Sequence, residues 1–355
     1  LLTIGKWSGA QAARARKVLE CYRSVLPRFK EASGHAHCVF DWNYAKGSSM
    51  AMPELSDLRL SVELLCLSAR CRLRLDNLEQ AIDDIQRALR LAQFPDHDYG
   101  PMVQQVTEDS TARIVACLQS IVHRKNLPLS RIPELKARLR AVAESFAPAK
   151  ALRVSRAFLA SSYSLRLDRA HQFAGFHGRL SAVEKWLLRS RMRYQVPKLL
   201  HFYTRAIEIA GKQFWRAIPE ARELSEQMEE NHFDVRWKFL GLKGPHMGIL
   251  PPVVSALVGE ALARALVESM RIALSVRQYY SKHAEVPKNL SVLRPEFLGE
   301  MPEDPFSGRN YRIKRYGDFV TVYSVGVDKK DDGGDIAKNG DPRDAADLGV
   351  RMALN

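Results

Sequence analysis

Asp304-Pro-Phe-Ser-Gly-Arg-Asn-Tyr311, Phe319-Val-Thr-Val-Tyr-Ser-Val-Gly-Val-Asp328 and Lys329-Lys-Asp331-Asp332-Gly-Gly-Asp335 follow one another near the end of this chain of 355 residues. Their order decides the fold of the tail. Asp-Pro followed by Ser-Gly is turn chemistry, because Asp bonds back to its own backbone and Gly tolerates positive φ. Val320-Thr-Val-Tyr323 is a β-branched and aromatic alternation that predicts one arm of a hairpin. The Gly/Asp run places four carboxylates within eight residues, from Asp328 to Asp335. Ca²⁺ takes six to eight oxygens of this mixed kind. The alternative reading is a solvated Gly/Asp turn, with Lys329 and Lys330 beside the acids.

Upstream the periodicity changes from two to three and four. Leu65, Ala69, Leu73 and Leu75 precede Asp76-Asn77, after which Ala81, Ile85, Ala88 and Leu89 recur at helical steps. This predicts two helices joined by a tight turn, with small residues where they cross. Helical stretches continue through residues 103–124, 130–146, 150–164, 181–193, 196–209 and 220–231. Lys243-Gly-Pro-His-Met-Gly248 reads as a linker, and a long helix from Pro252 carries Val258, Leu262, Leu266, Met270 and Ala273 on one stripe. Glu260, Arg264 and Glu268 recur every four residues, which predicts an amphipathic helix with a solvated charged ladder. The expected division is 1–100, N-terminal helices with one helical pair; 101–245, a basic all-helical region; and 246–355, an α+β tail. Strands are expected only in about residues 305–330.

Composition sets bounds on the rest. With 46% hydrophobic and 26% charged residues the chain is an ordinary folded protein. Five cysteines without a CxxC pair predict buried free thiols instead of a zinc ribbon or a redox motif. The formal charge of +14 is concentrated: residues 111–200 hold eighteen Lys and Arg against Glu134, Glu144, Asp168 and Glu184. Such a segment attracts an acidic protein, an anionic membrane surface or nucleic acid, or else is a solvated helix face. Trp186, Leu187 and Leu200 within it read as core residues beside snorkelling cations. The pair His35 and His37 beside Cys38, and His97 between two aspartates, read as loop residues. No GxSxG, HExxH, phosphate-binding loop or GxGxxG pattern occurs, so no catalytic residue is nominated.

The tail resembles the C-terminal region of the major pseudopilin of type II secretion systems, where a "DPWGNPY … YSLGxDG … GGxxDI" run forms a small sheet and a calcium loop. That resemblance implies Ca²⁺ held by Asp328 and Asp335, by Asp331 or Asp332, and by the backbone carbonyl of Val325. Over most of its length the chain resembles uncharacterised envelope-associated proteins of planctomycete-type bacteria. The carrying residues are Cys38-Val-Phe-Asp41, the tetratricopeptide-like (TPR-like) pair at 65–91, Arg277-Gln-Tyr-Tyr-Ser-Lys-His283, Val286-Pro-Lys-Asn-Leu290, Asp304-Pro-Phe-Ser-Gly308 and the 323–334 run. A prepilin signal is not found, so a filament subunit is not expected. The chain opens Leu1-Leu2-Thr3, and the resemblance implies an anchor segment upstream of it.

Together these readings predict a mainly α protein: a helical-repeat-like, TPR-like α-solenoid carrying a small pseudopilin-like α+β domain. The function expected is a non-catalytic scaffold or assembly protein of the bacterial cell envelope, on its extracytoplasmic side, with protein partners in a membrane-associated complex. A hydrolytic enzyme using the helices as a substrate frame is one alternative. An anionic-lipid or nucleic-acid binder working through residues 111–200 is the other.

Overall fold

The structure, a computed structural model, describes residues 8–35, 38, 40, 52–94, 100–124, 126–165, 182–230, 253–336 and 347–354. It is mainly helical, with a small three-stranded antiparallel sheet near the C-terminus. The helices are α1 (Gly9–Cys21), α2 (Leu26–Ala32), α3 (Pro53–Arg74), α4 (Leu78–Ala92), α5 (Pro101–Val122), α6 (Ile132–Ser145), α7 (Pro148–Leu165), α8 (Ala182–Ala210), α9 (Phe214–Glu230) and α10 (Val253–His283). No described helix is long and apolar enough to cross a membrane.

Local chemistry explains several boundaries. At the start of α1, Ser8 and Gln11 form a reciprocal capping box, each side chain accepting from the other's backbone N–H. Pro sits in the first turn of α3 and of α5, where its missing N–H costs nothing. Asp76 takes φ +59° between α3 and α4, and the Asn77 side chain then accepts from Gln80 N–H to start α4. The expected helical pair is therefore present. Ala69, Ala81 and Ala88 are fully buried where its two helices pack. Asp84 is also fully buried there, accepting from Ser68 Oγ (2.6 Å) and pairing with Arg72 (3.1 Å) and Arg87 (3.2 Å).

Helix α10 departs from the amphipathic reading. It packs against α5, α6, α7, α9 and strands β2 (Phe319–Ser324) and β3 (Leu348–Ala353). Glu260 and Glu268, expected on a solvated ladder, are buried along with Arg277. A helix enclosed on several sides has no water-facing half, so its charged residues must find protein partners. Glu268 pairs with Arg271 at 2.5 Å, and Arg277 donates to the carbonyls of Ala353 and Leu354. One core cluster accordingly joins Leu65 of α3, Leu118 of α5, Leu139 of α6, Val267 of α10, Val320 of β2 and Met352 of β3.

The sheet runs in the order β1 (Arg312–Tyr316), β2, β3. Tyr316 pairs with Phe319 across the expected hairpin, and Phe319 through Ser324 pair with Ala353 back to Leu348. Strand β3 lies outside the expected range of strands. Its Leu348, Val350 and Met352 alternate inward with period two, a signal present in the sequence but hidden behind a long Gly/Asp-rich stretch. Before residue 245 no strand occurs among the described residues, as the helical periodicity predicts.

Candidate functional site

The Asp304 turn shows what the tail motif does physically. Asp304 is 1% exposed, and its carboxylate collects four donors: Phe306 N–H (3.0 Å), Ser307 Oγ (2.7 Å), Ser324 Oγ (2.7 Å) and Val325 N–H (3.3 Å). It thus ties the turn to the end of β2. Phe306, also 1% exposed, fills the core cluster that contains Phe202 and Leu257. Gly308 has φ +67°, and a side chain there would meet the Trp215 indole at 2.6 Å, so only glycine suits the position.

Beyond this staple lies the acidic loop. Val325 is buried, whereas Asp328, Asp331, Asp332 and Asp335 are exposed. Asp328 Oδ1 accepts from Lys330 N–H at 3.0 Å, an Asx turn. Asp331 is engaged at both oxygens: Oδ1 accepts from Tyr323 OH and Gly333 N–H, each at 3.0 Å, and Oδ2 faces Arg312 at 2.8 Å. Partial burial works to raise its pKa, but the Gly333 and Tyr323 hydrogen bonds and the Arg312 charge outweigh this and hold it below the usual carboxylate value. The internal counter-charge is therefore Arg312; Lys329 and Lys330 are exposed.

Asp347, just before β3, is a residue the sequence reading missed. It is fully buried; Oδ2 accepts from Gly334 N–H at 2.7 Å, and Oδ1 has no partner among the described residues. Burial, helped by the charges of Asp331 and Asp332, pushes its carboxyl upward despite the Gly334 bond. Its only sequence signal is an acid placed immediately before an alternating apolar run. Among the described residues, no group of three or more His, Cys, Asp or Glu side chains could hold a metal ion as placed.

Other perturbed groups lie inside the helical body. Burial pushes the Glu108 carboxyl up to about 8; the Gln104 amide, 2.7 Å away, opposes the rise and Asp109 adds to it. Glu108 lies close to Gly259 of α10, where an added side chain would make the carboxylate shift. Lys136 is lowered to about 8 by burial and by Arg271, while it donates to Ser275 Oγ, Gln278 Oε1 and the Phe297 carbonyl. Ser275 is fully buried and bonds to the Arg271 and Phe297 carbonyls, so this Ser and Lys pair fastens α6 to α10.

Two surface regions complete the inventory. An open groove at the end of the α3–α4 pair is lined by Leu75, Asp76, Asn77, Leu78, Glu79, Asn126 and Pro128. Leu75 beside it is 69% exposed and Leu129 41%. On α8, Trp186 is 65% exposed, which overturns its reading as a core residue; Leu200 is partly buried against the core, and Leu187 lies outside the described side chains. The five cysteines are free, as expected, with Cys66 and Cys117 buried but Cys21 exposed. His37, Asp41 and His97 lie outside the described residues. No family model, curated protein or solved structure matches the chain.

Proposed function

We propose that this protein is a non-catalytic scaffold or assembly component of the bacterial cell envelope that holds a protein partner through its helical body. The observation that carries the reading is the groove at the α3–α4 turn, where Leu75 leaves most of its apolar surface in water beside Asp76 and Glu79. A leucine at a helix-pair tip gains from being covered, and an interface places such an anchor within a polar rim. The partner segment that fits carries an apolar anchor with polar flanks, since Arg124 and Arg131 already face Asp76 and Glu79. The finer architecture belongs to the same proposal: a TPR-like, repeat-like helical body, supported by the α3–α4 pair, and a pseudopilin-like tail, supported by the hairpin and the acidic loop after it. So do the extracytoplasmic location, which rests on the motif resemblance, and Ca²⁺ at the acidic loop as a stabiliser of the tail.

Site-specific photo-crosslinking in native membranes tests the groove. A crosslinker at position 75 should trap one discrete protein, and Leu129→Asp should reduce that adduct several-fold. Adducts matching those from a crosslinker at the solvated position 23 would sink the reading.

A further inference from the structure

Helices α7 and α8 pack on each other and on the core through Leu152, Leu159, Leu199, Phe202 and Tyr203, all buried. Their other sides face outward. Arg153 and Arg156 are exposed on α7, and Val183, Trp186, Ser190, Arg193 and Pro197 are exposed on α8. The α8 positions are spaced by three and four residues, so they form one stripe along the helix. Its start is apolar, with Val183 66% and Trp186 65% exposed, and a cation follows at Arg193.

The cations of this face differ from those of α6 and its approach. There Arg131 pairs with Asp83, Arg138 with Glu134 and Arg140 with Glu144. Among the described residues no carboxylate pairs with Arg153, Arg156 or Arg193. They lie in the 111–200 segment that contains the whole charge excess of the chain.

We infer that the outward face of α7 and α8 seats on an anionic phospholipid surface, with Arg153, Arg156 and Arg193 on headgroup phosphates and Trp186 and Val183 at the boundary of the acyl region. Tryptophan suits that boundary because its ring is apolar and its N–H is polar. Arginine gives phosphate two parallel hydrogen bonds. Near an anionic leaflet each such cation strengthens partition by about fivefold. A nucleic acid would use the indole but gives Val183 no apolar layer to enter. An acidic protein would satisfy the arginines without requiring the apolar end of the stripe. An interfacial helix normally lies with one face in the headgroups, and α8 meets that geometry with its opposite face already docked on the protein. The inference does not use the α3–α4 groove, so the two readings stand or fall separately.

Co-sedimentation of the full chain with vesicles tests it. Vesicles of phosphatidylcholine with roughly 30% phosphatidylglycerol should bind the protein at least about tenfold more tightly than pure phosphatidylcholine, since three cations at about fivefold each are engaged. Raising salt from about 0.05 to about 0.5 M should release most of it as the screening length contracts. The triple variant Arg153→Glu, Arg156→Glu, Arg193→Glu, checked for an unchanged helical circular-dichroism spectrum, should lose the preference for anionic vesicles. Trp186→Ser should weaken binding several-fold and remove the vesicle-induced blue shift of tryptophan emission, whereas Leu75→Asp should leave vesicle binding intact. Equal partition into both vesicle types, no partition, or partition indifferent to the Glu substitutions overturns the inference. Tighter binding to polyglutamate or single-stranded DNA than to the anionic vesicles does so as well.

Discussion

Around Asp304 the tail surrounds a buried carboxylate with four donors from two parts of the chain, whereas between α5 and α10 Glu108 has the Gln104 amide and little else among the described residues. Asp304 is buried and Glu108 half-buried, and they hold their places by different physics. A carboxylate that accepts several hydrogen bonds exchanges its hydration for fixed protein dipoles. A carboxylate given one donor and largely withdrawn from water is relieved by taking up a proton. The tail therefore uses its acid as a fastener, and the helical body tolerates its acid as a neutral group.

Replacing the fastener should produce the largest effect. Asp304→Ala leaves four donors without their acceptor and should cost on the order of 3 to 5 kcal/mol, read as a lower urea midpoint. Asp304→Asn keeps acceptor capacity at one atom only and should recover part of that loss. If the alanine variant unfolds at the wild-type urea concentration, the comparison collapses, because Asp304 would then be no better placed than any surface acid.

The second effect is a pH slope. The folded protein keeps the Glu108 proton until about pH 8, while the unfolded chain releases it near the ordinary value of 4.5. The stability this group contributes is complete below about pH 4.5 and declines as pH rises toward 8, by up to about 1.4 kcal/mol per pH unit. Glu108→Gln should flatten that decline, so that the variant gains on the wild type between pH 5 and pH 8 as followed by thermal melting. Lys136 acts in the next window: with its pKa lowered from 10.5 to about 8, stability should rise between those values. Parallel pH profiles for the Glu108 variant and the wild type would show that the carboxyl is ionised in the fold.

The smallest effect concerns the acidic loop. Asp331 already holds Arg312, so Ca²⁺ must displace an internal cation, and millimolar Ca²⁺ should raise the melting temperature by only a few degrees. Arg312→Ala should enlarge that rise and Asp328→Ala should abolish it. Calorimetry that finds no Ca²⁺ heat in the wild type or in Arg312→Ala removes the ion from the proposal.

What the sequence disclosed follows the same division. The Asp304 turn, the β1–β2 hairpin and the α3–α4 pair are local, each spelled by neighbouring residues such as Asp76-Asn77 or Val320-Thr-Val-Tyr323. Burial of Glu260 and Glu268 was illegible because two of the helices that enclose α10, α5 and α6, come from residues more than a hundred positions away. Trp186 was misread for the opposite reason: a tryptophan in a helical period suggests a core, and only the placement of α7 and α9 shows which side of α8 is covered. Asp347 and β3 were missed together, since the strand finds its partner β2 across the Gly/Asp-rich stretch and Gly349 interrupts its β-branched character.

The central position of α10 also sets an order of events during synthesis. The helix begins at Val253, after α3 through α9 have left the ribosome. At about 5 to 20 residues per second, α3 and α4 wait on the order of 10 to 40 seconds before α10 follows them out. From its own synthesis until α10 follows, each of Leu118, Leu139 and Phe202 remains short of the side chains that complete its packing. The nascent chain thus carries a long-lived apolar surface, and its passage to the native state runs through a period in which a holding chaperone has something to grip.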